Sequence, residues 1–298
     1  HPNIVPVYEL GVRPDGKPYY TMKSIRGRSF GATLADCVNL RERLGLLRHF
    51  LGLCQAVAYS HEHGVVVNAL DPHHVLLGQF GETVVLEWSR AIVRPGAVDL
   101  IEDLCAEGVA EKDPSVAAPA EPTVYMSPEQ AQGRVHEADE RSDVWTLGAI
   151  LHELLSGRPL FSQPERVAPL PGGLLRRQCA GAPPELVSVC RKALQTHPED
   201  RYASAKELAA DVEAYLTGRR VSAHVYGVRE SWGRFARRQR RALRLALFAA
   251  LFILLGSVGS YLRLVVQRNR AFESQAIEAL RRADAQLEGA RADALRQE

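Results

Sequence analysis

Apolar residues recur along this chain in three rhythms, and each predicts a different kind of element. Ile4 to Leu10 and Tyr19 to Ile25 flank Pro14-Asp15-Gly16-Lys17, and a Pro/Gly turn between two such runs predicts a β-hairpin. Leu44, Leu47, Leu51, Cys54, Val57, Ala58 and His61 return every three or four residues, which puts them on one face of a helix. His61 reads there as a packed helix residue. The same spacing at Val144, Leu147, Ile150, Leu151 and Leu154 predicts a second buried helix. From Ile92 to Pro122 the rhythm gives way to Ala, Pro, Glu and Asp, as suits a mobile loop.

The third rhythm is an unbroken apolar run from Leu245 to Leu262 that holds no charge. As a helix it rises about 27 Å, against a hydrocarbon thickness of about 30 Å, with Arg244 and Arg263 able to snorkel. A transmembrane helix is predicted. Seven Arg and no Lys lie between Arg229 and Arg244. That asymmetry puts the N-terminal side in the cytoplasm, so one pass through the inner (cell) membrane is expected, with an extracytoplasmic C-terminus. The arginines also suit anionic lipid headgroups, and their place against an apolar span argues against a nucleic-acid partner. Gly256 and Ser260 make a small-x-x-x-small pair that would favour a homodimer. Ala276, Leu280, Ala283, Leu287, Ala290 and Ala294 then form one stripe, predicting a far-side amphipathic helix.

Composition adds little that is unusual. The chain has 298 residues, 46% hydrophobic and 24% charged, with net charge +2, long enough for one substantial core. Its five Cys (Cys37, Cys54, Cys105, Cys179 and Cys190) show no paired spacing and read as reduced thiols, neither zinc ligands nor a disulfide framework. His61, His63, His73 and His74 cluster in sequence, yet no carboxylate or Cys stands at ligand spacing beside them.

The chemistry concentrates in Val67-Asn68-Ala69-Leu70-Asp71-Pro72-His73-His74. Upstream of it runs Tyr59-Ser60-His61-Glu62-His63-Gly64, and downstream come Val75-Leu76-Leu77-Gly78 and Thr83-Val84-Val85-Leu86-Glu87-Trp88-Ser89. Farther on lie Tyr125-Met126-Ser127-Pro128-Glu129-Gln130-Ala131, Arg141-Ser142-Asp143-Val144-Trp145 and His197-Pro198-Glu199-Asp200-Arg201-Tyr202. In this order and spacing they resemble the large lobe of a bacterial serine/threonine protein kinase of the membrane-anchored receptor type, over residues 1–224. The resemblance implies an α+β, protein-kinase-like fold. Residues 1–30 would be a remnant of the N-lobe and hinge, 31–224 a mostly α-helical C-lobe, 225–244 a basic juxtamembrane segment, 245–262 the transmembrane helix and 263–298 the far-side helix. The chain has no initiator Met and lacks the family's first strands, glycine-rich loop and strand Lys, so it reads as a fragment.

The same resemblance exposes what the loop lacks. The family's H-R-D-x-x-x-x-N loop supplies an Asp base and a magnesium-binding Asn, and a D-F-G Asp holds magnesium on the phosphates. Ala69 stands at the base position, and loss of a general base typically costs about 10²–10⁴-fold. Asp71 replaces the phosphate-steadying Lys and reverses its charge. His74 replaces the magnesium Asn with a nitrogen donor where hard oxygens are wanted. Glu87 replaces the D-F-G Asp and keeps its charge, Trp88 is an ordinary packing aromatic, and Ser89 replaces the turning Gly. Asn68 takes the place of the Arg that reads an activation-loop phosphate. Glu121-Pro122-Thr123 displaces the family's Thr by one residue.

The residues that hold such a lobe together are nevertheless present. Glu129 and Arg201 match the family's ion pair at the end of the activation segment, and Asp143 matches the buried Asp that anchors the catalytic loop. Met22 falls at the gatekeeper, with Lys23 to Ile25 as the hinge whose backbone would meet an adenine. ATP and magnesium are therefore allowed but not favoured as cofactors. The expected function is a membrane signalling protein of serine/threonine kinase type, catalytically impaired and acting as scaffold or allosteric regulator of protein partners. The alternative is an active kinase that transfers the ATP γ-phosphate to proteins.

Overall fold

A computed structural model of the chain describes residues 1–88, 90–94, 123–163, 173–227, 245 and 248–270. The chain divides into two compact units, His1–Val225 and Tyr226–Glu298.

The first unit is built around two buried helices. Helix α3 (Leu47–Glu62) buries Leu47, Phe50, Leu53, Cys54, Ala56 and Val57, so its apolar surface is wider than one stripe. The predicted single helix from Leu44 is in fact two: α2 (Leu40–Gly45), capped by the Asn39 side chain, ends at Leu46, from which α3 starts afresh. Leu44 and Leu51 pack only at the margin of the core. Helix α5 (Glu140–Ser156) opens on a reciprocal Asp139/Ser142 cap and stops at Gly157, whose φ of 79° is the left-handed cap that glycine adopts without a Cβ penalty. All five residues of its predicted stripe are fully buried, and so are Ser142, Asp143, Trp145 and Thr146. A helix closed in on every side must find partners for its polar residues inside the protein.

Around α5 lie the one-turn α4 (Pro128–Ala131), α6 (Leu174–Gln178), α7 (Pro184–Ala193) and α8 (Ala205–Leu216), while α1 (Phe30–Asp36) packs on the 72–74 turn. Gly148 sets the approach of α5 to α7, since a Cβ there would stand 2.8 Å from that of Ala193. Helix α8 packs along α3, completing the core through Leu208 and Val212.

Short antiparallel strands carry the loops. β1 (Val7–Val12) pairs with β2 (Pro18–Met22) across the predicted turn, with Gly16 at φ 81°. The first strand is shifted from the predicted Ile4–Leu10. Pro6, which has no N–H to donate, interrupts it, and Asn3 to Val5 bond instead to Val85. β3 (Gly27–Ser29), β5 (Val75–Gly78) and β6 (Thr83–Val85) form a three-stranded sheet in the order β3-β5-β6. β4 (Val65–Val66) pairs with β7 (Ile92–Val93), so the predicted loop starts too early, and its residues 95–122 lie outside the described residues. This arrangement suspends residues 67–74 between β4 and β5 and places Glu87 just beyond β6.

In the second unit, helix α9 (Phe248–Arg270) has a mean hydropathy of 1.9 over its most apolar window and is exposed along its length, long and apolar enough to cross a membrane. The helix runs on past the apolar stretch through Arg263 to Arg270. The basic segment 229–244 and residues 271–298 of the far-side stripe lie outside the described residues.

Candidate functional site

The loop between β4 and β5 is held from below by one carboxylate. Asp143, in the first turn of α5 and 1% exposed, accepts the Val67 and Asn68 backbone N–H groups at 2.8 Å each, and lies 2.8 Å from His61 Nε2. Both oxygens are thereby used on the loop and on α3. His61 is a packing and bridging residue, as its place in the helical stripe implied. Its Nδ1 is buried with no hydrogen-bond partner.

Asn68 has a positive φ of 65°, a left-handed conformation that Asn tolerates better than most residues. Its side chain is fastened on both sides. Nδ2 donates to the Arg90 carbonyl at 3.2 Å, and Gln130 Nε2 donates to both the Asn68 carbonyl and its Oδ1 at 2.8 Å. By resemblance alone this position is only that of a phosphate-reading Arg replaced by Asn. The residue is a neutral stitch between the loop and α4, and Asn in a turn was the signal that could have suggested it.

Beyond Asn68 lie the positions to which the resemblance assigns the catalytic chemistry. Ala69 is half-buried, and its N–H closes a tight turn onto the Val67 carbonyl at 2.8 Å. Asp71 Oδ1 accepts the His73 N–H at 2.7 Å, capping the 3-10 turn Pro72–His74. The position usually held by a phosphate-steadying cation is thus a cap. His74 is exposed; its backbone binds the Asp71 carbonyl and accepts Leu86 N–H at 3.1 Å. Glu87 is half-buried beyond β6, and Trp88 packs on the core with its indole N–H 3.3 Å from the Val85 carbonyl. Ser89, Glu121 and Pro122 lie outside the described residues. Met22 is 44% exposed, Lys23 donates its N–H to the Pro6 carbonyl, and Ile25 is half-buried between β2 and β3.

A magnesium–nucleotide site needs several hard oxygen donors around one point. Among the described residues no group of three or more His, Cys, Asp or Glu is placed to hold a metal. Of the two positions that the resemblance assigns to magnesium, 74 offers an exposed imidazole nitrogen and 87 a half-buried carboxylate, so one hard oxygen ligand of the pair is replaced.

Below the loop, the frame is fully bonded. Arg201 meets Glu129 through two parallel hydrogen bonds of 2.8 and 2.9 Å, and its remaining N–H groups reach the Gln195, Thr196 and Arg141 carbonyls at 2.8–3.1 Å. Ser142 adds a 2.7 Å bond to Glu129, and the guanidinium lies 5.1 Å from the Trp145 ring. Burial pushes the Glu129 carboxyl up, but the bonds from Arg201 and Ser142 overcome it and hold the group down at about 2. Both residues are about 4% exposed.

A second carboxylate, not singled out from sequence, borders the loop. Glu153, an acid within an apolar helix, accepts the Tyr125 hydroxyl at 2.7 Å. Burial raises its carboxyl, the Tyr125 bond and His73 oppose that, and Asp71 adds to it.

Comparison with known proteins agrees with this geometry. The protein kinase domain model matches residues 1–212. PknD, a serine/threonine-protein kinase of Chlamydia felis, is 31% identical over 246 residues, covering 73% of this chain and 25% of the relative. The PknD of Protochlamydia amoebophila is 30% identical over 246 residues, covering 74% and 24%. The match thus spans about a quarter of the length of these curated relatives. The solved kinase domain of Mycobacterium tuberculosis PknI shares the fold, with a TM-score of 0.50 at 22% identity, covering 72% of each chain.

Proposed function

Since the chain belongs to the protein kinase family, we propose that it is a membrane-anchored, kinase-like signalling protein whose own phosphotransfer is impaired and which acts on protein partners as a scaffold or allosteric regulator. One observation carries this reading: Asp143 holds the loop in place, yet the loop carries the Ala69 methyl at the position to which the resemblance assigns the base. A general base must lie within hydrogen-bond reach of the hydroxyl it deprotonates, and a methyl group cannot serve. The family generally uses ATP with magnesium to supply the phosphoryl group and neutralise its charge. In this chain Asp71 opposes that charge, and His74 offers nitrogen where magnesium takes oxygen.

Membrane attachment rests on α9 and on the seven arginines at 229–244, which favour a cytoplasmic kinase-like unit on a single-pass protein in the inner membrane. In this reading the kinase-like domain is 31–224, after an N-lobe and hinge remnant at 1–30; 225–244 is the juxtamembrane segment, 245–262 the membrane-crossing segment, which includes the first part of α9, and 263–298 the far side.

The test is a thermal shift of the full-length protein with ATP, with and without magnesium, alongside a phosphotransfer assay. No magnesium-dependent rise and no labelled product are expected. Magnesium-dependent phosphotransfer that disappears on Glu87→Ala would sink the proposal and establish the active-kinase alternative.

A further inference from the structure

The chain leaves the kinase-like unit through a short docked segment. Val221 is 2% exposed and packs into the core. Asp211, on α8 and 4% exposed, accepts the Ser222 N–H at 2.6 Å, the Ser222 hydroxyl at 2.8 Å and the Ala223 N–H at 3.0 Å, and the Tyr202 hydroxyl donates to it at 2.8 Å. His224 Nδ1 lies 2.9 Å from Ser188 Oγ, and two residues later Tyr226 begins the second unit.

Ser222 is itself exposed, and the residues before it read Arg219-Arg220-Val221-Ser222. Arg219 sits on the surface, with its guanidinium 3.4 Å from Glu213. Two guanidinium groups just ahead of an accessible hydroxyl form a charge pattern that a kinase can select with its own carboxylates. We propose that Ser222 is a phosphorylation site for a serine/threonine protein kinase acting in trans, one that selects Arg two and three residues before its target, and that the phosphate unlatches Ser222 and Ala223 from Asp211.

The transfer uses magnesium ATP bound by that second kinase. Ser222 Oγ forms a bond to the γ-phosphorus, the bond from that phosphorus to the β–γ bridging oxygen breaks, ADP leaves, and the hydroxyl proton passes to the second kinase's base. Nothing is asked of this chain's own catalytic loop, so the inference stands apart from the function proposed above. The hydroxyl becomes reachable when it leaves Asp211, so the reaction draws on the opened population. Phosphoserine carries about −1.5 to −2 charge at neutral pH. It cannot return to a buried carboxylate 2.8 Å from its oxygen, and Arg219 lies within a few residues as a new partner. The latch is thereby trapped open, which frees the Ser222 and Ala223 backbone from α8.

Full-length protein would be incubated with magnesium ATP and a purified arginine-directed serine/threonine kinase. Mass spectrometry is expected to place phosphate on Ser222, with none in the matching peptide of Ser222→Ala. Amide exchange at Ser222 and Ala223 is expected to quicken by at least about tenfold on phosphorylation, because both N–H groups lose their acceptor. Asp211→Asn, which removes the charge and keeps an acceptor oxygen, should blunt that acceleration. The comparison of wild type with and without phosphate needs no substitution, so it stands even where Asp211→Asn fails to fold. Phosphate taken up by a synthetic 217–227 peptide but not by Ser222 of the folded chain would overturn the site. Phosphorylation with unchanged exchange would overturn the latch.

Discussion

Two adjacent residues on α5 serve regions in opposite condition. Ser142 bonds to Glu129, and through it joins the Arg201 cluster, where every N–H of the guanidinium side named above has an acceptor. Asp143 holds the loop above, where the backbone is equally well fastened but the projecting side chains are a methyl, a capping carboxylate and an exposed imidazole. The difference teaches that placing a loop and equipping it are separate tasks. Asp143 grips main-chain N–H groups that every residue but proline supplies. A side chain at position 69 can therefore change its chemistry without disturbing the grip.

The largest test of that separation is Arg201→Ala. It leaves the Glu129 carboxylate buried against Ser142 alone, and removing one partner of a buried pair costs about 3–5 kcal/mol. Urea denaturation of the full chain should show that loss; one below about 1 kcal/mol would mean that the frame is not where the stability lies. The pair also carries a pH dependence. Its folded-state carboxyl is depressed, so its contribution is complete above the ordinary carboxylate range and fades as pH falls toward about 2.

His152 gives the next effect and extends the comparison to the other end of α5. It is fully buried, with its ring 2.9 Å from Gln178 Oε1, and burial depresses it from 6.5 to about 4 despite that bond. The unfolded chain thus takes the proton first. Stability is complete above about pH 6.5 and falls as pH drops toward 4, by about 3 kcal/mol from a shift of this size. Denaturation midpoints for wild type and His152→Asn over that range should diverge in this direction; parallel curves would remove His152 from the account.

Asp143→Asn should cost less, about 2 kcal/mol, since it weakens charge-assisted bonds and turns one amide N–H₂ toward backbone donors. Its signature is local. Exchange at the Val67 and Asn68 amides should accelerate while the Arg201 cluster keeps its protection, and equal acceleration in both regions would join what the comparison separates.

How much of this was legible beforehand follows the same division. The α5 stripe from Val144 to Leu154 and the partners Glu129, Asp143 and Arg201 were readable because each is a side chain at a fixed spacing. Ala69, Asp71 and His74 likewise stand out by spacing alone, as departures from the pattern that the loop resembles. What escaped depends on geometry that spacing does not encode. Leu46 splits one apolar rhythm into two helices, and Pro6 diverts Asn3–Val5 to the Val85 strand. Ile92-Val93, only two residues long, pairs with a strand far back in sequence. The Asn68–Gln130 stitch needs a left-handed turn and a helix cap to meet, 62 residues apart. Glu153 was hidden because an acid in a buried helix gives no sign of the tyrosine that will find it.

The smallest effect expected on the fold is also the one that most sharpens the comparison. Ala69 is half-buried and contributes only its backbone to the turn, so Ala69→Asp should change stability by no more than about 0.5 kcal/mol. It should also leave phosphotransfer at background. A base contributes about 10²–10⁴-fold only where the phosphate and its metal are already positioned, and Asp71 and His74 still oppose both. Combining Ala69→Asp with Asp71→Lys and His74→Asn removes all three obstacles on a backbone that Asp143 already holds, and should lift phosphotransfer of the full-length protein at least about tenfold above wild type. The Asp71 change also removes the cap on His73, so a modest loss of stability should accompany the gain. Activity switched on by Ala69→Asp alone would mean that the phosphate and metal sites are intact without those residues, and that the loop is one substitution from an enzyme rather than three.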